Sequence, residues 1–334
     1  MRQIQFELFE ISSLMVSAQK DWEMDSSNDS GKAGSGIAAP KHTPRPAEFG
    51  DLGRFIYGQT PPSGGLPCAR TTPLDRNEIN EVVEIIARGR NERHAAELPE
   101  RLHTRDWSSV LEVILKLDER LSLPGIGWKI GAASEEVRRG EGLPSPSPGL
   151  IYEGTVFPSG AQLDRDFFIN YRLIECEFAF QLGLDFPVRD APYTESDARA
   201  GIDTLFPVLE IGDMVFRDWY GASSYFGSCL DNNSSAALIV GTKTSDWHGY
   251  DLAESGVDLY LNGHYIKSGK GIAAMGNPVT SLTWMLNWAR LHGRAVASGE
   301  IVSTGTCTGH CFAEPGDTAT GDFGPLGRVE VSFN

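Results

Sequence analysis

The 334 residues carry 45 acidic against 29 basic side chains, a formal charge of −16, which excludes the positive surface that nucleic acid or an anionic membrane would require. At 40 % hydrophobic content the chain can fill one large core or two smaller ones, and no run approaches the roughly 20 apolar residues that span a bilayer. Five scattered cysteines, Cys68, Cys176, Cys229, Cys307 and Cys311, suggest no disulfide framework, and Glu7 and Glu10 interrupt an amino terminus that a targeting peptide would keep free of acid, so the chain reads as cytoplasmic and reduced.

Residues 1–20 can form a short strand or helix, and residues 25–50 are rich in Ser, Gly, Pro and Asp, a composition that buries little apolar surface. Residues 1–74 are therefore expected to be an extension, partly flexible. Residues 75–125 read as a helical lead-in. Asp75 and Glu78 form a capping pair ahead of Ile79, Val82, Val83 and Ile86 at helical spacing, and a second helix from Thr104 carries Trp107, Val110, Leu111, Ile114 and Leu121 to a stop at Pro124-Gly125. His94 and Glu97 would lie one helical turn apart, as a surface pair or an acid/base dyad.

From Ile126 onward the texture changes to short β-type runs punctuated by Gly, Pro and Asp. The expected order is a strand at 127–131, a loop at 144–148, a long strand at 171–183, a helix at 194–206 capped by Thr194 and Asp197, and a strand at 208–211. A hairpin about Asn262-Gly263, a helix opened by Asn277-Pro278 with Val279, Leu282, Met285, Leu286 and Ala289 inward, and strands at 300–304 and 328–333 complete it. Helices interrupt strands irregularly, which is not the alternation of a doubly wound sheet, and no glycine loop for phosphate is present.

The organising stretch is Y-R-L-I-E-C-E-F-A-F-Q-L-G at 171–183. Side chains alternate along a strand, so Arg172, Ile174, Cys176, Phe178, Phe180 and Leu182 share one face while Glu175 and Glu177 project from the other, their Cα atoms roughly 6.5–7 Å apart. Two carboxylates so placed are either the solvated face of an edge strand or a pair held by a cation or a shared proton. With Glu210 in V-L-E-I as a third, they would make an all-oxygen site suited to Mg²⁺ or Mn²⁺ rather than Zn²⁺ or copper. Lys129, between glycines and beside Trp128, is an ordinary edge lysine or a desolvated ammonium of lowered pKa that serves as acid/base or substrate anchor. Asn233, Ser234 and Ser235, in D-N-N-S-S-A, form a turn or a set of substrate-binding polar groups. C-T-G-H-C at 307–311 invites a zinc reading but lacks a second Cys/His pair at structural-zinc spacing.

G-W-K-I-G-A-A-S (127–134), I-E-C-E-F-A-F-Q-L-G (174–183), L-F-P-V-L-E-I-G-D-M-V-F-R-D-W (205–219), D-N-N-S-S-A-A-L-I-V-G (231–241), G-N-P (276–278) and E-P-G-D (314–317) occur in an order that resembles the fumarylacetoacetate hydrolase superfamily. Within it the chain is most similar to the branch of 2-oxopent-4-enoate hydratases and 4-oxalocrotonate decarboxylases, over about residues 75–334. The resemblance implies an α+β fold, a mixed β-roll or barrel with peripheral helices, and makes residues 126–334 the catalytic domain. It implies Mg²⁺ or Mn²⁺ on Glu175, Glu177 and Glu210, Lys129 as the polar catalytic residue, the Asn233-Ser234-Ser235 turn at a small 2-oxo acid, and a homo-oligomer. Residues 1–74 and the segment G-T-C-T-G-H-C (305–311) depart from its usual pattern.

The activity so implied is that of a lyase, a hydratase or decarboxylase working through a metal-stabilised enolate. Two alternatives stand beside it. One is a hydrolase of acylpyruvate-type C–C bonds, which needs a His–Glu base that only His94 and Glu97 offer ahead of the glutamate strand. The other is a specialised biosynthetic or non-catalytic relative.

Overall fold

The computed structural model describes residues 70–121, 123–216 and 225–334. Cys68, the element expected within residues 1–20 and all but the last five residues of the extension lie outside them.

Helix α1 (Arg76–Glu92) begins at the reciprocal cap that its sequence announces: the Asp75 carboxylate accepts the amides of Asn77 and Glu78, and the Glu78 carboxylate accepts that of Asp75. Its stripe of Ile79, Val82, Val83 and Ile86 is buried. The helix stops at Glu92, with Arg93 in the left-handed region, so His94 and Glu97 fall on irregular chain and not on successive helical turns. Both are exposed, and the one-turn helical spacing expected of them does not form. Helix α2 (Trp107–Leu121) starts three residues after Thr104, because the Asp106 carboxylate captures the Ser109 amide and caps it there.

The remaining elements follow as β1 (Gly125–Gly131), α3 (Glu135–Glu141), β2 (Ser147–Tyr152), β3 (Val156–Pro158), β4 (Ala161–Leu163), β5 (Leu173–Leu182), α4 (Glu195–Gly201) and β6 (Ile202–Gly212). After them come α5 (Tyr225–Leu230), β7 (Ser235–Val240), β8 (Gly256–Leu261), β9 (His264–Lys270), α6 (Pro278–Leu291), β10 (Ile301–Ser303), β11 (Cys311–Phe312), β12 (Thr318–Asp322) and β13 (Arg328–Phe333). Besides the start of α2, two boundaries differ substantially from expectation. Helix α4 ends at Gly201 rather than Phe206, since Gly201 packs where a Cβ would meet the Phe186 ring at 2.2 Å, and the β-type residues Ile202, Thr204 and Phe206 then pair as strand. Strand β2 begins at Ser147, inside the stretch expected to be loop, because its backbone pairs with Gly131. The β8–β9 turn is as expected, with Asn262 and Gly263 both at positive φ (52° and 74°).

Among the described residues the strands form two sheets. The eight-stranded one runs β2-β1-β10-β5-β6-β7-β3 with β11 on β5, and the five-stranded one runs β4-β13-β12-β8-β9. This is the mixed, curled β-roll with peripheral helices expected for the chain. The smaller sheet covers the outer face of β5 and β6, where Gly321 of β12 lies against Leu209 and Cys176. Helix α6 caps β1 through an edge-to-face contact of Trp288 with Trp128 at 5.6 Å. The inner face is lined at one end by a small apolar cluster of Ile151, Ala179, Phe206, Val208, Leu238 and Ile301. The glutamates share that face.

Candidate metal centre

Register brings the acids together. Antiparallel pairing of β5 with β6 sets Glu175 directly opposite Glu210, with Glu177 one step along the same face opposite Val208. One carboxylate oxygen from each lies within 4.8 Å of the others. Glu177 and Glu210 are buried at 1 % exposure, and Glu175 is half-buried on the solvent side. Like charges directly opposite in a ladder destabilise it, and here the pair is out of water as well. The solvated-edge reading of the two strand glutamates is thereby ruled out.

Glu177 is fixed by the Ser303 hydroxyl of β10 and the Gly305 amide, both donating to its Oε2. Lys129 enters from β1, on the face opposite Trp128. Its register partner Gly149 makes the room, since a Cβ there would meet the Lys129 side chain at 2.8 Å. The buried ammonium donates to Glu210 Oε1 and, at 2.8 Å, to the Asn233 carbonyl.

Burial, then the neighbouring Glu210 and Glu175, push the Glu177 carboxyl well above the ordinary carboxylate range. Burial pushes Glu210 up to about 7 even though Lys129 pulls it down. For Glu175 burial acts upward too, but His310, Lys129 and Lys267 outweigh it and leave the group below its usual value. Burial alone would lower the Lys129 pKa, yet Glu210, Glu175 and Glu177 outweigh it, so the ammonium is held more firmly than in water. The lowered value expected from its glycine and tryptophan neighbours is thus reversed, because those neighbours matter less than three carboxylates.

Two buried acids and the half-buried Glu175 face one buried lysine, and Glu210 Oε2 is buried without a hydrogen-bond partner. A hard divalent cation fits this donor set: all oxygen, carboxylate-rich, and including an unsatisfied buried acceptor.

The turn residues are placed as follows. Asn233 touches the centre through its carbonyl, while its Nδ2 donates to the Ser147 carbonyl. The Ser234 hydroxyl is shared with Ser228 and Tyr171, and Ser235 begins β7. His310 is a residue that spacing did not assign to the centre: its Nε2 lies 3.2 Å from Glu175 Oε1, and Lys267 donates to its carbonyl. Its neighbours in C-T-G-H-C, Cys307 and Cys311, are buried free thiols. The signal that could have found His310 is the departure of residues 305–311 from the pattern that the rest of the chain resembles.

The chain is 24 % identical over 208 residues to the 2-keto-4-pentenoate hydratase of Paraburkholderia xenovorans, covering 62 % of this chain and 76 % of that one. It is 24 % identical over 270 residues to the 4-oxalocrotonate decarboxylase of Pseudomonas putida, covering 78 % of this chain and 98 % of that one. The chain is a homologue of these enzymes. The solved 4-oxalocrotonate decarboxylase from Pseudomonas putida G7, complexed with magnesium and adipate, matches it with a TM-score of 0.71 at 23 % identity, over 79 % of this chain and 100 % of that one. At that identity the likeness is one of fold. No family model matches the chain.

Proposed function

We propose that the chain is a metal-dependent lyase acting on a 2-oxo- or 2-hydroxy-dienoic acid, adding water to the conjugated alkene or releasing CO₂. The observation that carries this is the convergence of Glu175, Glu177 and Glu210 on one point beside the Lys129 ammonium, in a homologue of hydratases and a decarboxylase. Glu175, Glu177 and Glu210 would hold Mg²⁺ or Mn²⁺, which when bound supplies Lewis acidity toward the carboxylate and 2-oxygen of such an acid.

The chain's own groups do the rest. Glu177 is immobilised by Ser303 and Gly305, so the donor geometry is set before substrate arrives. Lys129 is an ammonium at neutral pH, with one N–H on Glu210 and one on Asn233. Its third N–H can meet the oxygen on which negative charge grows as the dienoate takes up or loses a proton. Glu175 and the 40 %-exposed His310 mark the side open to solvent, where substrate and water enter.

The test uses protein stripped with EDTA and reloaded with Mg²⁺ or Mn²⁺, following the ultraviolet loss of 2-hydroxypenta-2,4-dienoate and of 4-oxalocrotonate. Product mass separates water gained from CO₂ lost. Turnover that depends on the added metal is expected; full turnover in EDTA, or none of either substrate with metal, refutes the reading. The His310–Glu175 contact gives a footing to a second reading, hydrolysis of acylpyruvate C–C bonds with His310 as base. Under that reading His310→Ala abolishes acylpyruvate cleavage, and under the first it leaves dienoate turnover largely intact.

A further inference from the structure

Between α5 and β7 three consecutive non-glycine residues, Asn232, Asn233 and Ser234, adopt positive φ (51°, 53° and 56°). The left-handed region is uphill for any L-residue, least so for asparagine, and a run of three persists only where the surroundings over-determine it. The surroundings here do so. The Asn232 amide exchanges two hydrogen bonds with the Leu150 backbone, accepting at 2.7 Å and donating at 2.9 Å, and Asn233 Nδ2 donates to Ser147 O at 2.8 Å.

The two ends of the turn are tied by a residue from far away in the chain. Arg90, in the last turn of α1, donates from Nε to Asp231 Oδ1 at 2.6 Å, from Nη1 to Ser235 O at 2.9 Å, and from Nη2 to Asp231 O at 3.1 Å and Asp213 O at 3.4 Å. The fully buried Asp231 turns its other oxygen to the Val215 amide at 2.6 Å. One guanidinium therefore grips the residue before the left-handed run and the residue after it. What the run holds in place is the Asn233 carbonyl, 2.8 Å from Lys129 Nζ.

We infer that Arg90 is a positioning residue for Lys129: by clamping Asp231 and Ser235 it fixes the left-handed turn, and through the Asn233 carbonyl it sets the ammonium against Glu210. Only a planar fork reaches three elements at once, so lysine cannot replace it. The activity arm of the test rests on the lyase reading above; the labelling arm does not.

In metal-free protein, an amine-acetylating reagent read by peptide mass spectrometry should label Lys129 at least about tenfold faster in Arg90→Met than in the unaltered protein, with the half-buried Lys267 unchanged as internal control. In the Mg²⁺-loaded enzyme, Arg90→Met should lower kcat about tenfold or more with KM within about threefold. In a Lys129→Met background the same substitution should cost less than about twofold, since the group it positions is gone. Arg90→Lys, which keeps the charge against Asp231 and gives up the fork, carries the same three measurements if Arg90→Met fails to fold. Equal losses in both backgrounds, labelling of Lys129 that does not change, or labelling of Lys129 and Lys267 that rises together would overturn the inference. If neither dienoate is turned over by unaltered protein the lyase reading fails, and labelling still decides the positioning role.

Discussion

The acid cluster makes a quantitative demand on stability that Glu177→Gln isolates. A carboxyl whose folded-state pKa is raised contributes stability that is complete below its unfolded value and is lost as pH climbs through the folded one. Glu210 is raised from 4.5 to about 7, which at roughly 1.4 kcal/mol per pH unit amounts to about 3 kcal/mol lost from metal-free protein between about pH 4.5 and 8. Glu177, also raised, adds loss in the same direction. Glu175 is held low and titrates below that window, and Lys129 is held high and titrates above it. His292, lowered by burial, works the other way, so the comparison must be with a variant in which it cancels. Glutamine at 177 keeps a carbonyl to accept from Ser303 and Gly305, can turn its amide toward the unpartnered Glu210 Oε2, and removes the carboxyl that burial, Glu210 and Glu175 hold well above its ordinary range. Urea unfolding in EDTA should find the gap between Glu177→Gln and the unaltered protein move in the variant's favour by more than about 1.4 kcal/mol, one pH unit's worth, on going from pH 5 to pH 8. Millimolar Mg²⁺ should stabilise the unaltered protein at pH 8 and leave the variant where it was. Parallel curves from pH 5 to 8, or an equal magnesium shift in both proteins, would refute the reasoning.

Lys129→Met should lower kcat by about two orders of magnitude while Mg²⁺ binds at least as tightly by calorimetry, because a competing buried cation is gone. Gly127→Ala should cost about 3 kcal/mol by urea unfolding, since the added methyl would sit 2.2 Å from the Ile301 carbonyl and part β1 from β10. Asn277→Ala removes the cap on Val279 of α6, far from the acids in sequence and function, and should lower Tm by roughly 2–4 °C, about 1 kcal/mol, with kcat unchanged.

Local chemistry was legible in the sequence wherever the partner lay a few residues away. The Asp75–Glu78 and Thr194–Asp197 caps, the Asn262-Gly263 turn and the period-two alternation of β5 all stand as read. The acid trio was reachable because Glu175 and Glu177 declare a shared face by themselves, and a third carboxylate in a neighbouring apolar run completes a donor set of one chemical kind. What spacing does not contain is register. That Glu210 sits opposite Glu175, one rung from Glu177, follows from α4 being short and β6 starting at Ile202, and the sequence pattern had drawn that helix five residues too long.

The reversed pKa of Lys129 and the unassigned role of His310 share a physical cause. Both were interpreted from their chain neighbours, glycine and tryptophan for one and two cysteines for the other, whereas a buried charge answers to whatever lies nearest in space. For Lys129 those groups are three glutamates brought by β5 and β6, and their field outweighs the desolvation that the local sequence implied. For His310 the neighbour is Glu175, reached because the 305–311 loop crosses the end of β5 before β11 pairs with it. A carboxylate cluster that must stay ionised enough to hold a cation, and yet remain foldable without one, needs positive groups drawn from several elements around it. Lys129 supplies one from the buried side and His310 a polar contact at the rim. Arg90 and the left-handed turn account for why the buried one cannot drift, a demand placed on residues that no local pattern would have connected.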